Sequence, residues 1–432
     1  MRIEFILMTT TEKNKILALI HREVVPAIGC TEPIAVALAV AKSKEILGTV
    51  PQRIEVLLSA NMLKNAMSVG IPETGMVGLP IAIALGALVG NSAYQLEVLK
   101  DTTPEWVEQG IQYINQQRIT IGQKKDTTEK LYIEVTSYNG SDKVTVIISR
   151  EHTHFHLIAK NDTILVDDSQ TAHTTVENSD PQLTMQKVFD FAMTTPIADI
   201  RFILKTADLN MNAAKISLKG EYGHALGRTI LHTNEPLLGK GIYSKIIAYT
   251  SAACDARMAG VKIPVMSNSG SGNQGIAATL PVWIYAKERK KTEEQIIRAL
   301  ILSHLTVIYI KQSFGRLSPL CGCVVAATGS ACGITYLMGG NYTQIVYAIK
   351  NMIANITGMI CDGAKPSCAL KVATGVSTAI LSAMLAINDK TVSSIEGIID
   401  EDIEKCVHNM ANLGLQGMAS TDNFVLDIMT HK

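Results

Sequence analysis

The sequence predicts an α+β protein in which a mainly helical core carries a small antiparallel-sheet α+β insert. Hydrophobic residues make up 47% of the chain but aromatic residues only 5%, so the core is built from small aliphatic side chains that suit closely packed helices. Residues 127–170 instead alternate polar with β-branched residues, as strands do. We therefore predict an N-terminal part of the helical core over residues 1–120, the insert over residues 121–205 and the rest of the helical core over residues 206–432.

The N-terminal part is predicted to hold three kinds of element. Residues 11–47 have a helical pattern, and Pro33 suits a first helical turn, which places residues 29–32 at a helix N-terminus. The segments that follow are a strand, a short helix or loop, and an apolar helix, over residues 52–58, 61–67 and 81–89.

The insert begins with a hairpin signal. Residues 131–137 and 143–149 alternate, and Tyr138-Asn-Gly-Ser-Asp142 separates them. Residues 154–159 and 163–166 extend the sheet, and a helix is expected over residues 182–193. From residue 197 onward the pattern returns to helices with glycine-rich connections.

Charge and hydropathy restrict the function classes. Lys and Arg number 39, as do Asp and Glu, so nothing suggests a basic surface and no nucleic-acid partner is expected. The uncharged stretches 317–349 and 75–96 are long enough to cross a bilayer, but both contain proline, glycine and amides. We interpret them as buried helices and expect no membrane association. The first 15 residues lack a signal-peptide pattern, so a cytoplasmic location is expected.

Eight cysteines in such a chain are not expected to form disulfides. Cys321, Cys361 and Cys368 each lie beside glycine or small polar residues, and three thiolates can hold three irons of a cubane cluster and leave the fourth open as a Lewis acid. Cys323 follows Cys321 by two residues and competes with it as a ligand. We interpret three others as buried, inert thiols: Cys254, Cys332 and Cys406.

Residues 266–275 are dense in small hydroxyls, amides and glycines and precede a predicted helix from Ile276. Backbone N–H groups and hydroxyls in such a turn can hold an anion, a carboxylate as well as a phosphate. The apolar flanks disfavour a flexible linker, and the spacing matches no nucleotide motif. The substrate-binding candidates here are Ser267, Asn268, Ser269, Gly270, Ser271, Gly272, Asn273 and Gln274.

Other polar residues are weaker candidates. Cys30 lies at a predicted helix N-terminus, where its pKa should fall and a thiolate could act as a base, a nucleophile or an iron ligand. Lys64, Asn65 and Lys365 could contact a substrate carboxylate or be ordinary surface residues. His152, His154 and His156 alternate, which we interpret as one half-buried strand face; His224 is interpreted as a core histidine.

Five motifs together resemble the L-cysteine desulfidase family, which is related to the alpha part of bacterial iron–sulfur L-serine dehydratases. They are GCTEP at 29–33, GMVGLP at 75–80, SNSGSGNQG at 267–275, LC at 320–321 and ICDGAKPSC at 360–368. The resemblance covers nearly the whole chain. It implies an oxygen-sensitive [4Fe-4S] cluster held by Cys321, Cys361 and Cys368 in a helical iron–sulfur catalytic core, and it makes Cys30 an active-site thiol.

The resemblance also implies a reaction. A lyase of this type would eliminate the β-substituent of a small L-amino acid without pyridoxal phosphate, converting L-cysteine to pyruvate, ammonia and sulfide. Two alternatives stay open: an L-serine dehydratase and a non-catalytic iron–sulfur amino-acid sensor. Some related dehydratases close the open iron with a terminal cysteine; residues 427–432 contain none, so water or another group is expected there. A homo-oligomer is compatible with the sequence.

Overall fold

Helices dominate the computed structural model, which describes residues 8–168, 180–233, 237–314 and 318–431. Short 3₁₀ segments and one π-helical segment supplement the α-helices. The α-helices of the described residues are α1 Thr10–Glu23, α2 Thr31–Leu47, α3 Ala60–Ala66, α4 Leu79–Leu88, α5 Pro104–Asn115, α6 Met185–Thr194, α7 Ile197–Ile200, α8 Leu204–Ser217, α9 Leu226–His232, α10 Ile242–Met258, α11 Gly272–Glu288, α12 Glu293–Phe314, α13 Gly322–Leu337, α14 Tyr342–Ile356, α15 Cys368–Ile387, α16 Ile403–Asn412 and α17 Thr421–Thr430.

The strands form two sheets. Six strands lie in the order β3-β2-β4-β5-β6-β7, and β1 pairs with β8 in a separate two-stranded ladder. The strands are β1 Pro26–Ile28, β2 Arg53–Leu58, β3 Ile119–Gln123, β4 Tyr132–Asn139, β5 Asp142–Ser149, β6 Phe155–Lys160, β7 Thr163–Asp167 and β8 Pro264–Met266.

The predicted α+β class, mainly helical, is confirmed. The hairpin is present, with Asn139 opposite Asp142 at its turn, and β4 to β7 are antiparallel as expected. The sheet is nevertheless larger than the predicted insert and mixed, because β2 joins it from the N-terminal part and pairs in parallel with β3. A parallel partner is reached only through a long crossover, here α3 to α5, which the local pattern of a strand does not reveal.

Two hydrophobic cores organise the chain. The larger core unites α1 with the helices from α6 to α16. The smaller core lies between α2, α4 and the six-stranded sheet, and includes Val36, Ile83 and Val135. Much of the N-terminal part therefore packs on the sheet; the division at residues 120 and 205 stays a prediction.

Helix α13 lies among α11, α12, α14 and α15, and its glycines allow the closest approaches. A Cβ at Gly329 would lie 2.4 Å from the carbonyl oxygen of Ser303 on α12, and one at Gly333 would lie 2.7 Å from the side chain of Val282 on α11. This close packing fixes the N-terminus of α13, where Cys321 is the N-cap residue.

The β1–β8 ladder joins distant parts of the chain. Pro26 pairs with Met266, and beyond the ladder the N–H of Ser267 donates to the carbonyl of Val25 at 2.8 Å. The N–H of Ser269 similarly donates to the carbonyl of Glu23 at 3.0 Å. The start of α2 is thereby held beside the polar loop that precedes α11.

The two long uncharged stretches contribute buried helices, as predicted: α4 comes from the first along the chain, and α13 and α14 from the second. Among the described residues, one helix, α15, is long and apolar enough to cross a membrane by length and composition. Half of its apolar window is buried inside the protein, where it packs on α10, α13 and α14.

Gly275, in the first turn of α11, offers a test of this packing. Gly275→Ala should destabilise the protein by roughly 3 kcal/mol, because its Cβ would lie 1.9 Å from the carbonyl oxygen of Met266 and neither backbone can move aside by a rotamer change. Gly358→Ala is the control, since no heavy atom lies within 4 Å of that Cβ. Guanidinium denaturation midpoints compare the two; equal midpoints would contradict the packing described.

Candidate active site

A backbone bridge brings two of the three predicted metal-binding cysteines together. Leu320 and Ile360 form an antiparallel bridge. The N–H of Cys321 donates to the carbonyl of Met359 at 2.9 Å, and the N–H of Cys361 donates to the carbonyl of Pro319 at 2.7 Å. Cys368 follows as the first residue of α15, and all three cysteines line one pocket.

The thiols of this pocket influence one another. Burial raises the pKa of Cys321 well above its usual range, and negative charge on Cys323, Cys361 or Cys368 raises it further. Burial also raises the pKa of Cys368. Without a cation the thiols of Cys321 and Cys368 therefore stay protonated at neutral pH, and a bound metal would release their protons.

The donor set fits an iron–sulfur cluster in its chemistry. Among the described residues, no three His, Cys, Asp or Glu side chains converge closely enough to hold a single metal ion. In a cubane cluster, however, each thiolate binds a different iron, so the ligands must face one pocket but need not meet at one point. Three soft sulfur donors on one pocket meet that requirement; the ligand set itself stays a prediction.

Cys323 differs from Cys321 in its contacts. Its thiol donates to the carbonyl of Lys371 at 3.1 Å. A Cβ at Gly375 would lie 2.5 Å from the Cys323 sulfur, so this thiol packs tightly between α13 and α15. Burial raises its pKa to about 12. Cys323 also lines the pocket, but its sulfur already has a partner between the helices.

The turn between Cys361 and Cys368 is held by charge. Asp362 pairs with Lys365 at 2.5 Å and also with Lys371. Burial opposes ionisation of Asp362, but hydrogen bonds from the two ammonium groups outweigh it and lower its pKa to about 2. Lys365 also donates to the carbonyls of Asp362 and Gly363, which are backbone contacts within this turn.

The Cys30 thiol forms a pair with Glu32. Cys30 is the N-cap residue of α2, as predicted, and its buried thiol donates to Oε2 of Glu32 at 2.9 Å. The expected fall in the Cys30 pKa is wrong, because burial and then the Glu32 carboxylate raise it well above its usual range, against a smaller opposing effect of Arg257. At neutral pH Cys30 is therefore a thiol.

Glu32 is the ionised member of the pair. Burial alone would raise its pKa, but nearby His152, the hydrogen bond from Cys30 and the charge of Arg257 together lower it. Asn65 donates to the other carboxylate oxygen at 3.2 Å. Sγ of Cys361 lies 3.9 Å from the side-chain oxygen of Asn65, so this amide connects the pair to a predicted iron ligand.

The polar loop before α11 has an anchored half and a pocket-lining half. Asn268 donates to Nδ1 and the carbonyl of His304, and Ser269 donates to the side-chain oxygen of Asn268. Burial lowers the pKa of His304 to about 3, so this anchor is neutral. Ser267 is anchored to the carbonyl of Val25, just before β1. Gly270 and Ser271 of the loop line the pocket, as do Asn273 and Gln274 in the first turn of α11.

Two oxygens of the pocket-lining half are buried without a hydrogen-bond partner among the described residues: Oδ1 of Asn273 and Oε1 of Gln274. Buried polar atoms rarely stay unsatisfied, so these oxygens indicate that something polar binds here. Gln274 lies against the start of α13, since a Cβ at Gly322 would lie 3.0 Å from its Cδ.

Lys64 does not line this pocket. Its side chain is 1% exposed, its ammonium forms an ion pair with Asp422 of α17, and it donates to the carbonyl of Cys361 at 2.9 Å. Asn61 donates to the second oxygen of Asp422 at 2.6 Å. The observed contacts of Lys64 are those of a buried ion pair beside the backbone of Cys361. A role of Lys64 in substrate binding stays a prediction.

Three charged residues that line the pocket are not predicted from the sequence: Glu32, Arg257 and Lys311. Glu32 lies inside the GCTEP motif and was overlooked beside its cysteine. Arg257 and Lys311 lie on α10 and α12, whose apolar character predicts burial. A charged residue on a helix that is predicted to be buried could have identified both positions. Charged side chains are almost never fully buried without a partner or a function.

Most of the residues that line this pocket lie within a recognised family domain. The model of the serine dehydratase alpha chain family matches residues 93–427, most of the chain. The chain belongs to this family. The match contains the polar loop and all three predicted iron ligands but not Cys30, and it agrees with the resemblance to iron–sulfur serine dehydratases.

Relatives named UPF0597 proteins match this chain along nearly its whole length. One from Bacteroides fragilis is 63% identical over 426 residues, covering 98% of this chain and 100% of the relative. Others from Porphyromonas gingivalis and Oleidesulfovibrio alaskensis are 50% and 45% identical over 432 and 428 residues, each with the same coverage. Their names specify no substrate, so the family alone does not choose between cysteine and serine.

The buried ion pair between Lys64 and Asp422 gives a second test of the structure. Lys64→Met should destabilise the protein by about 3–5 kcal/mol, because Asp422 is left buried without its counter-ion. Adding Asp422→Leu should recover most of that loss, since neither charge then remains. Chemical denaturation measures both variants. A Lys64→Met protein of unchanged stability, with a raised KM alone, would instead point to a substrate contact.

Proposed function

We propose that this protein is an iron–sulfur-dependent lyase that eliminates the β-substituent of a small L-amino acid, with L-cysteine as the substrate and pyruvate, ammonia and sulfide as the products. The observation that carries this proposal is one pocket lined by the three predicted cluster ligands, the Cys30–Glu32 pair and the polar segment at the start of α11. The family match supports the reaction class, since dehydration of serine is the same elimination with hydroxide as the leaving group.

Cys321, Cys361 and Cys368 would hold the cluster. When bound, such a cluster supplies an iron with an open coordination position, which acts as a Lewis acid on the substrate. The protein supports this role by fixing the first two cysteines through the Leu320–Ile360 bridge and the third at the start of α15. No pyridoxal phosphate is needed in this scheme.

Cys30 and Glu32 would move the α-proton. They share one proton, which rests on Sγ of Cys30 and is directed at Oε2 of Glu32. Passage of that proton to Glu32 leaves a thiolate on Cys30 that can accept the substrate α-proton. The electron pair of the Cα–H bond then forms the Cα=Cβ bond as the Cβ–S bond breaks, and sulfur leaves with its bonding electrons.

The carboxylate of the substrate would lie at the N-terminus of α11. Ser271 is the N-cap residue, and its side chain makes no capping hydrogen bond. The first N–H groups of the helix are therefore available to an anion, and the helix dipole favours negative charge there. The hydroxyl of Ser271 is a further donor in the same turn, and this residue lines the pocket.

The chemistry of the leaving group favours cysteine over serine. Hydroxide is a strong base, so its departure requires a proton donor or a Lewis acid. Among the described residues that line the pocket, Glu32 contributes the only carboxyl group, and it becomes an acid only after it has taken the proton of Cys30. A thiolate is the weaker base and leaves with less assistance. L-serine remains the second candidate, because the family is described by serine dehydration.

Anaerobic purification and assay test the proposal. The protein should contain iron and acid-labile sulfide and should release pyruvate from L-cysteine with a higher kcat/KM than from L-serine. The reverse preference would identify a serine dehydratase, and a full cluster without pyruvate would identify an amino-acid sensor. Activity that follows added pyridoxal phosphate instead of iron would refute the scheme. Cell fractionation should find the protein in the cytoplasm.

Two groups of variants separate the roles of the cysteines and Glu32. Cys361→Ala should lose the cluster and turnover together. Cys30→Ala and Glu32→Gln should keep their iron and lose turnover, by about 10²–10⁴-fold, because each removes part of the proton transfer. Iron analysis and pyruvate release on the same samples make the comparison. Loss of iron from Cys30→Ala would show that Cys30 is a ligand instead.

A further inference from the structure

Arg257 is a buried cation on the wall of the candidate active site. It lies near the end of α10, is 4% exposed and lines the pocket together with Cys30 and Glu32. Its Nε is buried and has no hydrogen-bond partner among the described residues. The proposed mechanism gives this side chain no role.

A guanidinium in this position needs an anion. Arginine stays charged in proteins, and burying a charge without a partner is strongly unfavourable. Within the part of the chain that the structure describes, no carboxylate lies at ion-pair distance from Arg257. Glu32, whose pKa the charge of Arg257 lowers, already accepts hydrogen bonds from Cys30, Thr31 and Asn65.

The N-terminus of α11 adds a second source of positive potential beside Arg257. A Cβ at Gly272 would lie 2.3 Å from Nε of Arg257, so the glycine allows the guanidinium to lie against the first residue of the helix. The uncapped N–H groups of that turn and the guanidinium thus present donors to the same region. A planar carboxylate matches both sets, since guanidinium groups bind carboxylates through paired N–H donors.

We propose that Arg257 is the specificity-determining residue that binds the α-carboxylate of the substrate, and that the pocket selects α-amino acids with a free carboxylate. This inference rests on the proposed function for its substrate class. The unpartnered oxygens of Asn273 and Gln274 and the carboxylate of Glu32 lie on the same pocket and provide acceptors for the α-ammonium. Donors and acceptors of the pocket therefore match a zwitterion.

Binding of a non-reacting probe tests the inference. L-alanine carries both charges but no leaving group, and L-alaninamide replaces the carboxylate by a neutral amide. Anaerobic calorimetry on the iron-loaded protein should show L-alanine binding about 10- to 100-fold more tightly than L-alaninamide. Arg257→Met should weaken L-alanine by that factor and change L-alaninamide less than about threefold, which removes the preference.

Two further variants control the experiment. Arg257→Lys keeps the positive charge but loses the paired N–H donors of the guanidinium, so it should bind L-alanine with intermediate affinity. Arg289→Met removes an exposed arginine just after α11 and should leave both affinities unchanged. Arg257→Met should fold, because Glu32 keeps its hydrogen bonds from Cys30, Thr31 and Asn65, and circular dichroism with iron analysis verifies this. A preference for L-alanine that survives in Arg257→Met would overturn the inference.

Turnover separates this inference from the proposed function. If the unmodified protein releases no pyruvate but binds L-alanine in an Arg257-dependent way, the carboxylate site stands and the lyase proposal fails. If it releases pyruvate and Arg257→Met keeps the full kcat/KM for L-cysteine, the lyase proposal stands and the role of Arg257 is refuted.

Discussion

The candidate site depends on a ladder of three residue pairs between β1 and β8. This ladder and the backbone bonds beyond it join segments 242 residues apart. On one side the chain turns into α2 and presents Cys30 and Glu32; on the other it continues into the loop and the start of α11. Arg257 lies shortly before β8. A small number of backbone hydrogen bonds thus sets the positions of the Cys30–Glu32 pair, the start of α11 and the Arg257 guanidinium.

The pKa shifts and buried charges of the pocket indicate which kinds of charged ligand it can bind. Burial and mutual repulsion keep the thiols of Cys321 and Cys368 protonated until a cation compensates them. The buried guanidinium of Arg257, in contrast, is stabilised by an anion. Glu32 is the ionised carboxylate between these groups, stabilised by neighbours and not by solvent. The pocket therefore contains two incomplete charge arrangements, the buried thiols and the buried guanidinium, with the Glu32 carboxylate on the same lining.

The parts of the fold and site that the sequence predicts are those encoded by local patterns. The β4–β5 hairpin follows from alternation around Asn139 and Gly140, and the pocket cysteines follow from motifs. Parallel pairing of β2 with β3 is a long-range result with no local signal. The Cys30 pKa was predicted with the wrong sign although its position at the start of α2 was right, because the helix dipole is weaker than burial and a carboxylate at 2.9 Å. Arg257 was not predicted because the rest of α10 has the composition of a buried core helix. Its functional relevance becomes visible only from its position on the pocket lining.

The buried pair between α3 and α17 joins distant parts of the sequence beside the candidate site. Lys64 donates to the carbonyl of Cys361, and its counter-ion, Asp422, lies 358 residues later in the sequence. A chain that ended before α17 would keep this ammonium buried without its carboxylate, which is strongly unfavourable. Truncation of the last described helix would therefore disturb the Cys361 segment, although no residue of α17 lines the pocket.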